Sequence, residues 1–126
     1  MNMPVYDFDK IQPEHVNELY RRQIAQGENM IVARLEADRG SMTRSHRHQH
    51  EEVIILLQGC WRFSFPHGEV TLWPNQMLTI PSGVEHSSEV LENVVAIDVC
   101  SPTRKDWLSG EDRVLHDDPD QSLWGV

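Results

Sequence analysis

The segment Ser45-His46-Arg47-His48-Gln49-His50-Glu51-Glu52 gathers the side chains best suited to hold a metal ion. Seven histidines occur in the chain and three of them fall within these five positions, 46 to 50, so the cluster is far from a random scatter. In an extended backbone, residues two apart project to the same side. His46 and His48 therefore aim at one point, and Glu52 can join them from the strand that follows. Neutral imidazoles with a carboxylate form a ligand set that suits Zn, Fe, Mn or Ni. His86, just after the tight turn Pro81-Ser82-Gly83, can supply a fourth ligand from across a barrel. His50 has the parity of His46 and His48; it is read as a supporting or solvated residue, because ligand imidazoles need partners that orient them. The plain alternative is a histidine-rich surface loop that binds metal only adventitiously.

A second feature is Asp98, which interrupts the apolar run Val94 to Cys100. By alternation it shares a face with Val94, Ala96 and Cys100. If that face lines an interior, a carboxyl group is buried near the metal, where its proton affinity can be tuned for proton transfer. An outward-facing aspartate at a strand end is the alternative.

Short strands punctuated by turns must position these groups. The candidates are Met30–Glu36, Glu52–Gln58, Cys60–Phe65, Glu69–Trp73, Met77–Ile80, Val84–Val90 and Val94–Cys100. Gly59, Pro66-His67-Gly68, Pro74-Asn75 and Pro81-Ser82-Gly83 separate several of them. On Glu52–Gln58 the residues Ile54 and Leu56 follow Glu52 to one face. On Cys60–Phe65 the aromatics Trp61, Phe63 and Phe65 oppose Arg62 and Ser64. Such a series without amphipathic helices predicts an all-β jelly-roll or barrel. The first 25 residues fit either a helix through Pro13, Val16, Leu19, Tyr20 and Ile24 or a strand over Leu19–Ala25 hairpinned to the next. The turn signal Gln26-Gly27-Glu28-Asn29 favours the strand. Asp117 to Asp120 is read as an acidic, solvated segment.

With 126 residues the chain is expected to form one domain, 1–126, with its barrel over about 30–100. The formal charge of −9, with no basic run longer than Arg21-Arg22, argues against nucleic acid and anionic membranes as partners. No signal peptide is read at the N-terminus, and Val53–Leu57, the longest apolar run, is too short to span a bilayer. Cys60 and Cys100 form no CxxC pair and are read as reduced thiols of a cytoplasmic protein. Trp61, Trp73 and Trp107 are expected in the core or a dimer interface. The strand face Val53, Ile55 and Leu57 is expected to pack against a second sheet or a partner.

The spacing Gly40, five residues, His46, one, His48, three, Glu52, six, Gly59 resembles the first motif of the cupin superfamily, and Pro81-Ser82-Gly83-Val84-Glu85-His86 resembles the core of the second. The resemblance covers Met30 to Cys100. It implies an all-β cupin, a double-stranded β-helix or jelly-roll barrel, in which His46, His48, Glu52 and His86 ligate one divalent transition metal (Ni, Zn, Fe or Mn). Asn75 and Val90 stand where the second motif usually has glycine and asparagine, positions that hold no metal in the family.

The closing segment Asp98-Val99-Cys100-Ser101-Pro102-Thr103-Arg104-Lys105-Asp106 resembles that of the small single-domain KdgF-type cupins. These act in pectin and alginate degradation and turn unsaturated monouronates into linear keto acids. The likeness implies Asp98 and Arg104 as catalytic residues, a small anionic sugar-acid substrate and a homodimer. Cys100 replaces the family's aromatic residue and Glu52 its usual glutamine ligand. A surface arginine paired with Asp106 is the alternative for Arg104. The rival functions are a metal-dependent dioxygenase on the same site, a lyase, or a non-catalytic binding module. The lyases of this ligand set rely on tyrosines near the metal, whereas Tyr6 and Tyr20 both precede the motif.

Overall fold

The computed structural model describes residues 2–110; the acidic segment 117–120 lies outside them. The strands are β1 (Glu14–Asn17), β2 (Tyr20–Gln26), β3 (Ile31–Ala37), β4 (Met42–His46), β5 (Glu51–Phe65), β6 (Gly68–Leu72), β7 (Met77–Ile80) and β8 (His86–Ser101). A short 3-10 turn, Phe8–Lys10, precedes them, and the short helix α1 (Lys105–Ser109) follows. The sheet runs β1-β2-β3-β8-β5-β6, with β4 on β8 and β7 on β5, every pairing antiparallel.

The long strands β5 and β8 are the spine. They pair from Glu51 opposite Ser101 to Ser64 opposite Ser87. One half of this ribbon is flanked by β3 and β7, the other by β4 and β6. The register shifts between Leu56 and Trp61, where the ribbon passes from one layer to the other. The sequence predicts a strand end at Gly59 and two separate strands over 84–100. In the structure both are continuous, because Gly59 serves a bulge and not a break. It has φ +93°, and a Cβ there would lie 2.1 Å from the Asn93 carbonyl oxygen. Only glycine fits so close an approach in that conformation.

Alternation fills the interior. On β3, Ile31, Ala33, Leu35 and Ala37 are buried, while Val32, Arg34 and Glu36 are half-buried. The main core joins Leu35, Ile54, Leu56, Trp61, Phe63, Leu72, Ile80, Val90, Val94 and Ala96. Each large apolar side chain buried there contributes roughly 1.5–3 kcal/mol. A smaller cluster of Ile31, Ala33, Cys100 and Trp107 closes the other end. Val53 and Ile55 sit half-buried on the outer face, and Leu57 is exposed. Trp73, expected in the core or a dimer interface, lies outside the core and is 51% exposed. It starts the turn Trp73–Gln76, in which the Gln76 N–H donates to the Trp73 carbonyl at 3.1 Å. Pro74 and Asn75 occupy the middle of that turn, and Asn75 takes φ 71°. Asparagine, one of the few residues besides glycine that tolerate it, thus supplies the left-handed geometry of this turn.

The ambiguous N-terminal stretch is a β-hairpin, β1–β2, with Val16 turned inward. The helical spacing of its apolar residues is overridden by pairing of β2 along the whole of β3. The polar strand β4 carries no apolar alternation and was not foreseen.

Candidate metal centre

His46 ends β4, His86 begins β8, and the two are paired opposite one another. Their ring centroids are 4.4 Å apart, and that of His48 lies 5.5 Å from His46 and 5.1 Å from His86. Hydrogen bonds between the loops fix this meeting. The Gly83 N–H donates to the His48 carbonyl at 2.8 Å, and the Ser82 hydroxyl to the Gln49 carbonyl at 2.7 Å. The turn before His86 is thereby tied to the loop that carries His48.

All three rings are held by the same device. The Nδ1 atoms of His46, His86 and His48 lie 2.8, 2.8 and 3.0 Å from the carbonyl oxygens of Arg44, Val84 and His50. A carbonyl only accepts, so each Nδ1 carries a proton, which leaves Nε2 as the ligand atom of the neutral tautomer. A backbone carbonyl behind each ring is the arrangement that fixes tautomer and orientation in metal-bound histidines. Glu52 Oε1 lies 3.4 Å from His48 Nε2 and 3.5 Å from His86 Nε2. His48 Nε2 is buried without a hydrogen-bond partner. Ligand atoms of His46, His48 and His86 all lie within 4.8 Å of one another, a spacing one cation can bridge. The donor set fits a divalent transition metal: three oriented imidazoles and one carboxylate. Burial and the neighbouring His86 hold the His46 imidazole down to about 3, so it is neutral at physiological pH.

Asp98 and Cys100 share the inner face of β8 with Ala96, as alternation predicts, and Cys100 pairs opposite Glu52. Burial pushes the Asp98 carboxyl well above the usual carboxylate range, and the adjacent Glu52 charge adds to the effect. Burial also acts to raise Glu52, but His48, His86 and Asp98 around it outweigh burial and hold it well below that range. Two carboxyl groups side by side are thus driven in opposite directions, Glu52 towards the anion and Asp98 towards the neutral acid. Both sit between the two apolar clusters, which keeps water from levelling the difference.

A cavity of about 780 Å³ opens above this pair. His46, His48, His86, Glu52 and Asp98 line it together with Arg104. Arg104 does pair with Asp106: its Nε donates to Oδ1 at 2.8 Å and its Nη2 to Oδ2. It is not a surface residue, because its side chain is only 11% exposed. Its guanidinium carbon lies 5.2 Å from the centre of the Trp107 ring. His50 also lines the cavity, but His48 uses its carbonyl as an orienting acceptor.

Sequence reasoning missed Arg22 and the role of Trp107. Arg22 is 1% exposed, lines the cavity, forks onto Glu14, and places its guanidinium carbon 5.3 Å from the same Trp107 ring. Its shared parity with Tyr20 and Ile24 on β2 was the available signal. Trp107 is buried as expected, yet it also forms cavity wall.

No protein-family model matches the sequence, and no curated protein matches it significantly. Solved structures do. KdgF from Halomonas sp. superposes with a TM-score of 0.77 at 23% identity, over 82% of this chain and 99% of that one. An RmlC-like cupin from Shewanella frigidimarina gives a TM-score of 0.77 at 19% identity, over 84% and 96%. The fold is that of a cupin. Bacillus subtilis oxalate decarboxylase, described with Mn(II) centres, matches this chain with a TM-score of 0.69 at 16% identity, over 77% of this chain and 29% of that one. Among the described residues, no helix is long and apolar enough to cross a membrane.

Proposed function

We propose that this cupin converts 4,5-unsaturated monouronates to linear keto-deoxyuronates, with His46, His48, Glu52 and His86 holding one divalent transition metal. The observation that carries the reading is the buried carboxyl of Asp98 beside Glu52, its proton affinity raised by burial and by that neighbour, on the wall of a cavity that also presents Arg104. The likeness to KdgF from Halomonas sp. supports it.

A 4,5-unsaturated uronate contains a carboxylate and an enol ether within its ring. The bound metal would supply Lewis-acid polarisation of a substrate oxygen. Arg104, with its plane fixed by Asp106 and Trp107, pairs with the substrate carboxylate. Asp98 delivers its proton to C4 as water adds its hydroxyl to C5 and gives its remaining proton back to Asp98, and this saturates the double bond. The resulting hemiketal opens: Asp98 protonates the ring oxygen as the C5–ring oxygen bond breaks, C5 becomes the ketone, and its hydroxyl proton returns to Asp98. The freed hydroxyl leaves C1 as a hydrated aldehyde, which loses one molecule of water, so the net change is an isomerisation. The apolar walls Ile54, Trp61 and Phe63 limit water around the reacting carbons.

The test is incubation of metal-loaded protein with unsaturated galacturonate and unsaturated mannuronate, following loss of ultraviolet absorbance. Metal-dependent acceleration over buffer is expected. No acceleration with either sugar acid, alongside oxygen consumption with a diketone or flavonol, would replace this reading with a dioxygenase.

A further inference from the structure

Beneath the imidazole cluster lies a second group of potential ligands, contributed by Glu52, Asp98 and Cys100. One ligand atom from each lies within 4.8 Å of the other two. The side chains are 6%, 5% and 0% exposed, respectively. Strand pairing builds the group: Cys100 stands opposite Glu52, and Asp98 is two residues along the same inward face of β8. A second, independent observation is that Asp98 Oδ1 is buried with no hydrogen-bond partner. Such an orphaned buried acceptor is costly unless something occupies the space before it.

We propose that Glu52, Asp98 and Cys100 form a second cation position, adjoining the three-histidine centre through Glu52 and selective for a thiophilic divalent ion such as zinc or cadmium. The thiolate of Cys100 is the one soft ligand in either group, and it sets the preference. Binding displaces one proton from Asp98 and one from Cys100. The released charge is balanced by the incoming cation, and Arg104 remains as the neighbouring fixed positive group. The ion reaches the group through the cavity, whose wall includes Glu52 and Asp98. A filled second position engages the Asp98 carboxylate in a metal bond, so that side chain is no longer open to another partner in the cavity. This follows from the residues themselves and stands whether or not a uronate is the substrate.

The test is a titration of metal-free protein with Co(II), read by absorption, and with Zn(II), read by metal content after dialysis. Two ions per chain are expected, with a thiolate-to-cobalt charge-transfer band appearing on the second equivalent. Cys60→Ala should keep both ions and the band. Cys100→Ala should keep one ion, and neither it nor the volume-conserving Cys100→Ser should show the band. Saturation at one ion in the unaltered protein would overturn the proposal, as would a second ion retained by Cys100→Ala or bound without the band.

Discussion

His46 and His86 are separated by forty positions in sequence, yet they face each other as paired residues of β4 and β8 with ring centroids 4.4 Å apart. Each donates its Nδ1 proton to the carbonyl two residues before it, at 2.8 Å. The symmetry is a consequence of extended backbone on both sides of the barrel, and it leaves two Nε2 lone pairs converging.

Removing either imidazole should dismantle the centre without unfolding the barrel. His86→Ala is expected to weaken binding of the first metal equivalent by more than about 100-fold, beyond the loss typical of altering an outer partner. Equilibrium dialysis measures the affinity, and circular dichroism checks that the strands persist. Unchanged affinity would remove His86 from the ligand set.

Asp98→Asn keeps the shape of the acid but not its proton. Turnover of the unsaturated uronate should fall by about 10²–10⁴-fold, the range supplied by a positioned general acid. Affinity for the first metal equivalent should stay within a few-fold. A variant that retains full turnover would remove Asp98 from the chemistry.

Gly59→Ala tests how the barrel turns its corner. The left-handed backbone alone costs a non-glycine residue about 1–3 kcal/mol, and the added Cβ meets the Asn93 carbonyl oxygen at 2.1 Å. A loss of at least that size is expected in urea denaturation, without loss of the histidine cluster's residues. A neutral substitution would contradict the bulge as described.

The metal-free protein should show the His46 imidazole in its pH response. Burial and His86 keep it neutral to about pH 3 when folded, whereas the unfolded chain takes up the proton near 6.5. Between these limits the unfolded state binds more protons, so His46 contributes stability above pH 6.5 that is lost as pH falls towards 3. The slope is about 1.4 kcal/mol per pH unit for one proton. Nuclear magnetic resonance should find the ring neutral at pH 5, and a His46→Gln variant should lose less stability than the unaltered protein between pH 6.5 and 4. A ring that titrates near 6.5 would contradict this.

Much of the site was legible because its parts are local patterns. The spacing of His46, His48 and Glu52 needs only an extended backbone, and the inward face of Asp98 and Cys100 needs only alternation. The bent ribbon was not legible: glycine at position 59 gives the same signal for a strand end and for a bulge, and only the approach of Asn93 distinguishes them. Strand β4 was hidden because its half-exposed residues carry no hydrophobic period. Arg22 was hidden because a buried guanidinium depends on Glu14 and the Trp107 ring, partners brought together by tertiary structure.

The most direct test of the metal centre is anomalous scattering from crystals of the protein loaded with one equivalent of Zn(II) or Mn(II). One strong peak is expected at bonding distance from Nε2 of His46, His48 and His86 and from a Glu52 oxygen. An ion bound elsewhere on the surface, or no ion at these four side chains, would contradict the account.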